Sequence, residues 1–230
     1  MKPSLPVLLS VNGGYVDTAG FLALQGLFTA HVTGNFVTAG AALVFGTSGV
    51  LAKLLALPVF CVVVALVRLG GYALSARDVG PIRVLLWVKL VLLFAGFALA
   101  LHFGPFRDGD AWPALLTGLT LVSAMAVQNG VQRIHLPTVP PSTLMTGNTT
   151  QVVIDLVDLV RGLPDPAAGT ARRRLAAMAA SVASFAAGCA AAALMFAFTG
   201  MWCFALPPVV AFAAVLVRAE FPAPAAGSRT

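Results

Sequence analysis

Asp17 combines an ionisable side chain with an unusual position in this sequence. It lies about a dozen residues into an apolar segment that runs from residue 5 to residue 28. Since about 20 residues of helix cross the hydrocarbon core of a bilayer, this carboxylate lies near the bilayer middle. Ionisable groups are costly there and are usually retained for a function. The position predicts a proton- or cation-binding carboxylate. The alternative is a structural carboxylate bonded to Gln128, Asn129 or a backbone N–H.

The tripeptide Thr-Gly-Asn occurs twice, 113 residues apart. Thr33 and Thr146 are expected to cap the helices that follow, and Asn35 and Asn148 add amide donors and acceptors beside the helix starts. Free N–H groups and the positive end of the dipole make a helix start suitable for an anion or polar ligand. The pattern therefore predicts two ligand-binding turns, or alternatively two ordinary caps on short helices.

Two amides and one imidazole complete the candidate binding site. Gln128 and Asn129 interrupt an apolar segment and are predicted to contact a ligand. Their alternative role is interhelical hydrogen bonding, worth roughly 0.6–2 kcal/mol per contact in membranes. His31 lies two residues before the first Thr-Gly-Asn tripeptide. Because imidazole titrates near neutral pH, His31 is a candidate for proton transfer.

The sequence lacks the motifs of soluble-type catalysis. It has no Gly-rich phosphate loop, no GxSxG nucleophile elbow and no HExxH zinc motif. Cys61, Cys189 and Cys203 each lie inside an apolar run, without the Cys or His spacing of a zinc site. We therefore predict that the chain is not an enzyme, and we predict no catalytic residue, cofactor or metal.

The composition is that of a membrane protein. The chain is 59% hydrophobic and 10% charged, with a mean hydropathy of +0.94, whereas a soluble domain carries roughly 25% charged residues. Its net charge of +6 does not indicate a nucleic-acid partner, because most basic residues lie in the gaps between apolar runs. That is the distribution that the positive-inside rule produces.

Eight apolar segments supply the helices that must position these side chains. Six are long enough to cross a bilayer, whereas the second and the sixth are shorter. Asp155 and Asp158, in the sixth, are predicted to form a solvated face with Arg161. Residues 221–230, mostly Pro, Ala, Gly and Ser, are predicted to be disordered. The segments are approximately 5–28, 34–50, 51–76, 82–103, 112–132, 143–160, 171–198 and 199–218.

The distribution of Lys and Arg separates two topologies. With the N-terminus inside and eight crossings, nine basic residues lie inside and four outside; if the two short segments dip in and return, eleven lie inside and two outside. The positive-inside rule favours six crossings. Each half of the chain, about 5–103 and 112–218, then crosses three times, which inverts one half relative to the other. The predicted fold class is an all-α polytopic membrane bundle. It has six crossing helices, two short or re-entrant helices and an inverted two-fold repeat, within one integral membrane domain spanning 1–230.

The polar motifs also carry a family resemblance. Gly-Tyr-Val-Asp-Thr-Ala-Gly-Phe at 14–21 precedes His-Val-Thr-Gly-Asn-Phe at 31–36, and Gln-Asn-Gly at 128–130 precedes Thr-Gly-Asn at 146–148. The chain, from about Leu8 to Val217, resembles the YoaK-like family of bacterial membrane proteins of unknown function. The resemblance implies an inner-membrane protein of about six helices and implies no substrate.

These observations favour a secondary transporter or channel-like carrier for a small polar solute. The solute site is predicted to be lined by Asp17, Thr33, Asn35, Gln128, Asn129, Thr146 and Asn148, with a proton or cation coupled through Asp17. The expected partners are the lipid bilayer, the solute and, as an option, a second copy of the chain. The expected location is the bacterial inner membrane, with both termini cytoplasmic. Two alternatives remain, an intramembrane enzyme built on Asp17 and His31, and an accessory subunit without a ligand.

Overall fold

The computed structural model describes residues 4–218, which form eight α-helices and no strand. The basic residues Lys2 and Arg229, both termini and the predicted disorder of residues 221–230 lie outside this range. The helices are α1 (Leu5–Ala23), α2 (Gly34–Phe45), α3 (Val50–Ser75), α4 (Pro81–Phe103), α5 (Trp112–His135), α6 (Met145–Val160), α7 (Ala167–Thr199) and α8 (Leu206–Arg218), with a 3-10 turn at Gly200–Ala205 between the last two.

Four stretches of helix are long and apolar enough to cross a membrane. They are Val50–Ser75, Pro81–Phe103, Trp112–His135 and the continuous helical stretch Ala167–Val217. The all-α class is confirmed, and the apolar stretches favour the membrane protein predicted from composition. The second apolar segment forms a helix of only 12 residues, α2, which is about 18 Å long and shorter than the roughly 30 Å hydrocarbon core.

Helix α1 packs along α7 at very short range. A Cβ atom on Gly14 would lie 2.1 Å from the carbonyl oxygen of Phe185, and one on Gly188 would lie 2.1 Å from that of Val11. Since no side chain fits there, the two backbones touch directly, as small residues permit in membrane helix pairs. The order of contacts along both helices, with Ser10 near the start of α1 bonded to Ser181 at 2.9 Å, shows that α1 and α7 run in the same direction.

One end of the bundle gathers the end of α1, the start of α3 and the α4–α5 connection. The Gln25 side chain donates to the carbonyl oxygen of Phe106 at 2.9 Å. The Asp110 carboxylate accepts from the backbone N–H groups of Gly49 at 3.0 Å and Val50 at 3.1 Å, which caps α3 with a negative charge at its positive dipole end. Because Gln25 precedes α2 and Gly49 follows it, α2 leaves from and returns to the same end.

The opposite end holds the starts of α1 and α4, the end of α8 and the ion pair that joins α6 to α7. Leu5, Leu86 and Val215 belong to one buried cluster there. Asp155 of α6 is fully buried and accepts from Nε of Arg174 in α7 at 2.8 Å. The prediction of a solvated face was therefore wrong for Asp155, because a neighbouring helix buries it against the Arg174 guanidinium, whereas Asp158 is exposed.

Candidate functional site

The connection between α1 and α2 folds back onto the middle of α1, and Asp17 holds it there. Oδ1 of Asp17 accepts from the backbone N–H of Thr29 at 2.8 Å and of Ala30 at 2.7 Å. Thr29 is fully buried, so its N–H has no water to bond to, and an unpaired buried donor is costly. The carboxylate thus has the backbone partners of the structural alternative, and it bonds to neither Gln128 nor Asn129 within residues 4–218.

The second oxygen of Asp17 pairs with His31. Its Oδ2 lies 2.6 Å from Nδ1 of the imidazole. The Asp17 side chain is 5% exposed and the His31 side chain 36%, so the imidazole is the more accessible partner. His31 lies in the connection outside the helices, where the hydrogen bond from the carboxylate raises its pKa against the opposing effect of burial. Asp17 and His31, the pair on which the intramembrane-enzyme alternative depends, therefore lie in direct contact.

A pocket of about 440 Å³ opens beside this pair. Three phenyl rings form most of its wall. Phe21 and Phe28 lie 4.9 Å apart between centroids, and Phe185 meets the His31 ring edge-on at 5.6 Å. The pocket is lined by Asp17, Thr18, Phe21, Phe28, His31, Gly34, Phe185 and Cys189. Its volume falls within the range of small-molecule sites, which are mostly apolar with a few placed polar groups.

The two asparagines of the repeated tripeptide make equivalent hydrogen bonds to the backbone of the preceding turn. The Nδ2 of Asn35 donates to the carbonyl oxygen of Phe28 at 2.8 Å, and Nδ2 of Asn148 donates to that of Pro141 at 2.8 Å. Each acceptor lies seven residues upstream. Asn35 also accepts from the Phe28 N–H at 2.8 Å. Both side chains are buried, and these bonds close the turn before each short helix.

The two threonines do not cap their helices as predicted. Thr33 occupies the N-cap position of α2 but makes no side-chain cap bond, and its backbone is already helical. Thr146 lies inside α6, whose N-cap residue is Leu144. Both threonines are exposed. At α2 the error arises because the first-turn donors are already paired: the N–H of Asn35 donates to the Val32 carbonyl oxygen at 3.3 Å, and that of Phe36 to the Thr33 carbonyl oxygen at 3.2 Å.

Gln128 and Asn129 lie in a second polar cluster, beside the turn before α6. The Gln128 amide donates to the Leu9 carbonyl oxygen at 2.9 Å and to Oγ of Ser142 at 2.8 Å. Oδ1 of Asn129 accepts from the Thr143 hydroxyl at 2.7 Å. These amides join α1, α5 and the turn, which is the interhelical role weighed as their alternative.

The Ser142 N–H of that turn has a partner comparable to Asp17. It donates to Oε1 of Gln132 at 2.9 Å, and Gln132 donates in turn to the Pro140 carbonyl oxygen at 2.6 Å. In each half of the chain, then, a polar side chain of the preceding helix holds the turn before the short helix. The difference is chemical, because Asp17 carries a charge and Gln132 does not.

Lys89 is a buried cation that sequence reasoning left without a role. It is 1% exposed within α4, and its Nζ donates to Oε1 of Gln128 at 2.5 Å. Asn12 of α1 is also fully buried, and neither its nitrogen nor its oxygen has a partner within residues 4–218. A lysine and an asparagine inside apolar segments were visible signals, since buried polar groups in membranes are expensive.

The candidate residues therefore fall into two clusters. Asp17 and His31 share the aromatic pocket with the turn before α2, whereas Gln128, Asn129 and Asn148 surround the turn before α6. Thr33 and Thr146 lie at the surface of the chain.

Comparison with known proteins gives one match. A family model described as a protein of unknown function, DUF1275, matches residues 5–217. No curated protein matches, and no solved structure matches.

Proposed function

The chain belongs to the DUF1275 family, whose function is unknown, and we propose that it is a proton-coupled secondary carrier for a small solute in the bacterial inner membrane. The observation that carries this proposal is the Asp17–His31 pair, 2.6 Å apart at the wall of a pocket of about 440 Å³. A carboxylate and an imidazole at hydrogen-bond distance can hold or release a proton near neutral pH. In a carrier, that proton accompanies the solute.

The path of the chain supports two re-entrant segments and six crossings. Because Gln25 and Gly49 both lie at the end where α4 meets α5, α2 dips into the bundle and returns. Helix α6 does the same at the other end in this proposal, where Arg174 fastens it to α7. Irregular backbone at membrane depth is tolerated where it is buried in protein or lines a cavity. Thr29 and Ala30 of the first turn are buried, as are Ser142 and Thr143 of the second.

The paired helices support an inverted two-fold repeat. Helix α1 of the first half packs on α7 of the second, and α5 of the second half packs on α3 of the first. Asn35 and Asn148 bond to the carbonyl seven residues upstream in their respective halves. Carriers built from inverted repeats bind their solutes beside broken helices. The excess of Lys and Arg at the end that holds the start of α1 makes that end cytoplasmic.

Coupling in this proposal works through the turn that Asp17 holds. When His31 is protonated, the carboxylate forms an ion pair with it and also accepts from Thr29 and Ala30. When the imidazole loses its proton, the ion pair becomes a hydrogen bond from a neutral N–H to the carboxylate, which is weaker than the bond between two charged groups. The hold on residues 29–31 then loosens, and this change connects proton binding to movement of the re-entrant segment.

An intramembrane enzyme is the second candidate, and the same pair favours it. A carboxylate that accepts from Nδ1 of histidine orients the imidazole for proton transfer through its other nitrogen. Cys189 lines the same pocket, but its thiol donates to the Gly14 carbonyl oxygen at 3.4 Å. A carrier recovers its solute unchanged, whereas an enzyme releases a product of different mass.

Uptake into proteoliposomes tests the proposal. Purified protein is reconstituted, and a defined mixture of small metabolites is supplied with and without a pH gradient; vesicle contents are identified by mass spectrometry. We expect at least one solute to accumulate unchanged under the gradient, and Asp17→Asn and His31→Gln to abolish the dependence on the gradient. Asn129→Ala is the matched control, because that amide lies in the other cluster. Equal contents in protein-containing and empty vesicles would refute the carrier.

Topology is tested at the turns that follow the two short helices. Thr47 and Arg161 are exposed there, whereas Lys53 is 3% exposed and unsuitable for labelling. In a background without Cys61, Cys189 and Cys203, Thr47→Cys is expected to react with an impermeant thiol reagent on intact cells. Arg161→Cys is expected to react only after the membrane is opened. Labelling of both positions from the same side would contradict the inverted repeat.

A further inference from the structure

We infer that the pocket beside Asp17 and His31 takes a monocarboxylate with a compact apolar body, such as a ring. The inference rests on the proposed function, and it narrows the solute from any small polar compound to a weak organic acid. It follows from three properties of the pocket: which polar group faces it, what its walls are made of, and what charge its ligand must supply.

His31 is the polar group that the pocket offers to a ligand. Both oxygens of Asp17 are already engaged, one by two backbone N–H groups and the other by Nδ1 of His31, and the carboxylate is 5% exposed. The imidazole lines the pocket at 36% exposure, and its Nδ1 is taken. Its other ring nitrogen, Nε2, is left for the ligand. In the protonated ring Nε2 carries an N–H that donates.

A donor with positive charge selects an acceptor with negative charge. Charge-assisted hydrogen bonds are roughly twice as strong as neutral ones, so a carboxylate is preferred over an amide or a hydroxyl. A primary ammonium is disfavoured because it meets an imidazolium, and the carboxylate behind that ring has no oxygen free to accept from it. Cys189 is the other titratable side chain of the wall; Lys53 lies in the same end of the bundle but donates to the Ser48 carbonyl oxygen at 3.4 Å.

The walls select the rest of the ligand. Phe21, Phe28 and Phe185 supply phenyl surfaces, with two of these rings 4.9 Å apart. Aromatic rings pair favourably at centroid distances of about 4.5–7 Å, so an added ring packs among them without loss. A sugar or a polyol would leave its hydroxyl groups unpaired against these walls, which is unfavourable.

A carboxylate also suits proton coupling. A weak acid that enters as the anion, together with the proton held on His31, transfers no net charge across the membrane. Both components leave when the imidazole loses its proton, because the acceptor on the ligand then faces the lone pair of Nε2. The same site therefore binds the solute and senses the proton.

Binding of three matched probes tests the inference. Benzoate, benzamide and benzylamine share one ring and differ in the charge of the head group. Ligand-observed NMR titration of the purified full-length chain at about pH 5.5, below the ordinary histidine pKa of about 6.5, is expected to give saturable binding of benzoate. Benzamide is expected to bind about tenfold more weakly, and benzylamine not at all.

Variants locate the binding site. His31→Gln and Phe28→Ala are each expected to weaken benzoate binding about tenfold. The control is Phe94→Ala in the apolar groove lined by Trp87, Phe94, Phe97, Trp202 and Phe212 between α4 and α8, a volume of about 720 Å³ without an ionisable side chain. If Phe28→Ala fails to fold, Phe28→Leu replaces it, because leucine keeps most of the buried volume.

The outcomes separate the inference from the carrier role. The inference would be overturned if benzylamine bound more tightly than benzoate, or if benzoate showed no saturable binding. It would also be overturned if Phe94→Ala lost benzoate binding while His31→Gln kept it. Benzoate binding at His31 without uptake of any solute would uphold the binding site and refute the carrier. Gradient-driven uptake that benzoate does not inhibit would uphold the carrier and refute the ligand class.

Discussion

Replacing Asp17 by alanine and by asparagine separates its two structural roles, which are to accept hydrogen bonds from the turn and to pair with His31. The alanine variant removes every acceptor from the turn, so the backbone N–H groups of Thr29 and Ala30, now 2.8 and 2.7 Å from an oxygen, lose their partners. Both residues are buried. The asparagine variant keeps one oxygen for these donors but loses the charge and the ion pair with His31.

The expected magnitudes follow from the number of bonds. A buried donor left without a partner costs about 1–3 kcal/mol, so Asp17→Ala is expected to lower the free energy of unfolding by about 2–6 kcal/mol. Charge-assisted bonds are roughly twice as strong as neutral ones, so Asp17→Asn is expected to lose about half as much. At about 2–4 °C per kcal/mol for a domain of this size, alanine lowers the melting temperature by at least about 4 °C.

Thermal unfolding of the detergent-solubilised protein measures the effect. Asn129→Ala serves as the control, since its Oδ1 accepts from a threonine hydroxyl at 2.7 Å and a neutral side-chain bond contributes only about 0.5–1.5 kcal/mol. A melting temperature for Asp17→Ala within about 1 °C of the wild type would refute the role of the carboxylate in holding the turn. Equal losses for the two Asp17 variants would mean that the charge and the ion pair dominate.

Four further predictions concern the same architecture. Asn35→Ala is expected to cost more stability than Asn148→Ala, because it orphans both the N–H and the C=O of Phe28, whereas the Pro141 carbonyl oxygen still accepts from Oγ of Ser181 at 3.2 Å; equal melting temperatures would contradict this. Gly188→Leu is expected to abolish the folded state in detergent chromatography, since even its Cβ would meet a carbonyl oxygen at 2.1 Å. His31 is expected to contribute stability that is complete below about pH 6.5 and is lost as the pH rises through its raised pKa; His31→Gln should flatten the melting temperature against pH. Lys89→Met is expected to lower the melting temperature less than Lys89→Ala, because both variants leave Oε1 of Gln128 without its donor but only alanine also leaves a cavity; equal losses would contradict this.

The sequence was sufficient to predict the all-α class and to identify Asp17 as a carboxylate inside the bundle. Composition decides the first, and the position of one carboxylate within an apolar segment decides the second. The partner of Asp17 was harder to predict from the sequence. His31 lies 14 residues downstream, and only the fold of the connection brings it back to the middle of α1.

Other errors had the same origin in contacts between distant segments. Arg174 reaches Asp155 from the next helix, whereas local spacing pairs only Asp158 with Arg161. The Thr33 cap was wrong because backbone carbonyl oxygens of residues 32 and 33 already accept from the first N–H groups of α2, and the Thr146 cap was wrong because α6 begins before that residue. Lys89 is visible in the sequence as a charged residue in an apolar segment, but its acceptor is Gln128 of α5. The residue pattern within α4 contains no information about that neighbouring helix.

The backbone contact between α1 and α7 has a consequence for the synthesis of this protein. Helix α1 is the first of these helices to leave the ribosome, yet the glycine that it packs against, Gly188, follows it by most of the length of the chain. Until then the surface of α1 around Gly14, which lies against the Phe185 carbonyl oxygen, has no α7 to cover it. This backbone contact can therefore form only after most of the chain has been synthesised.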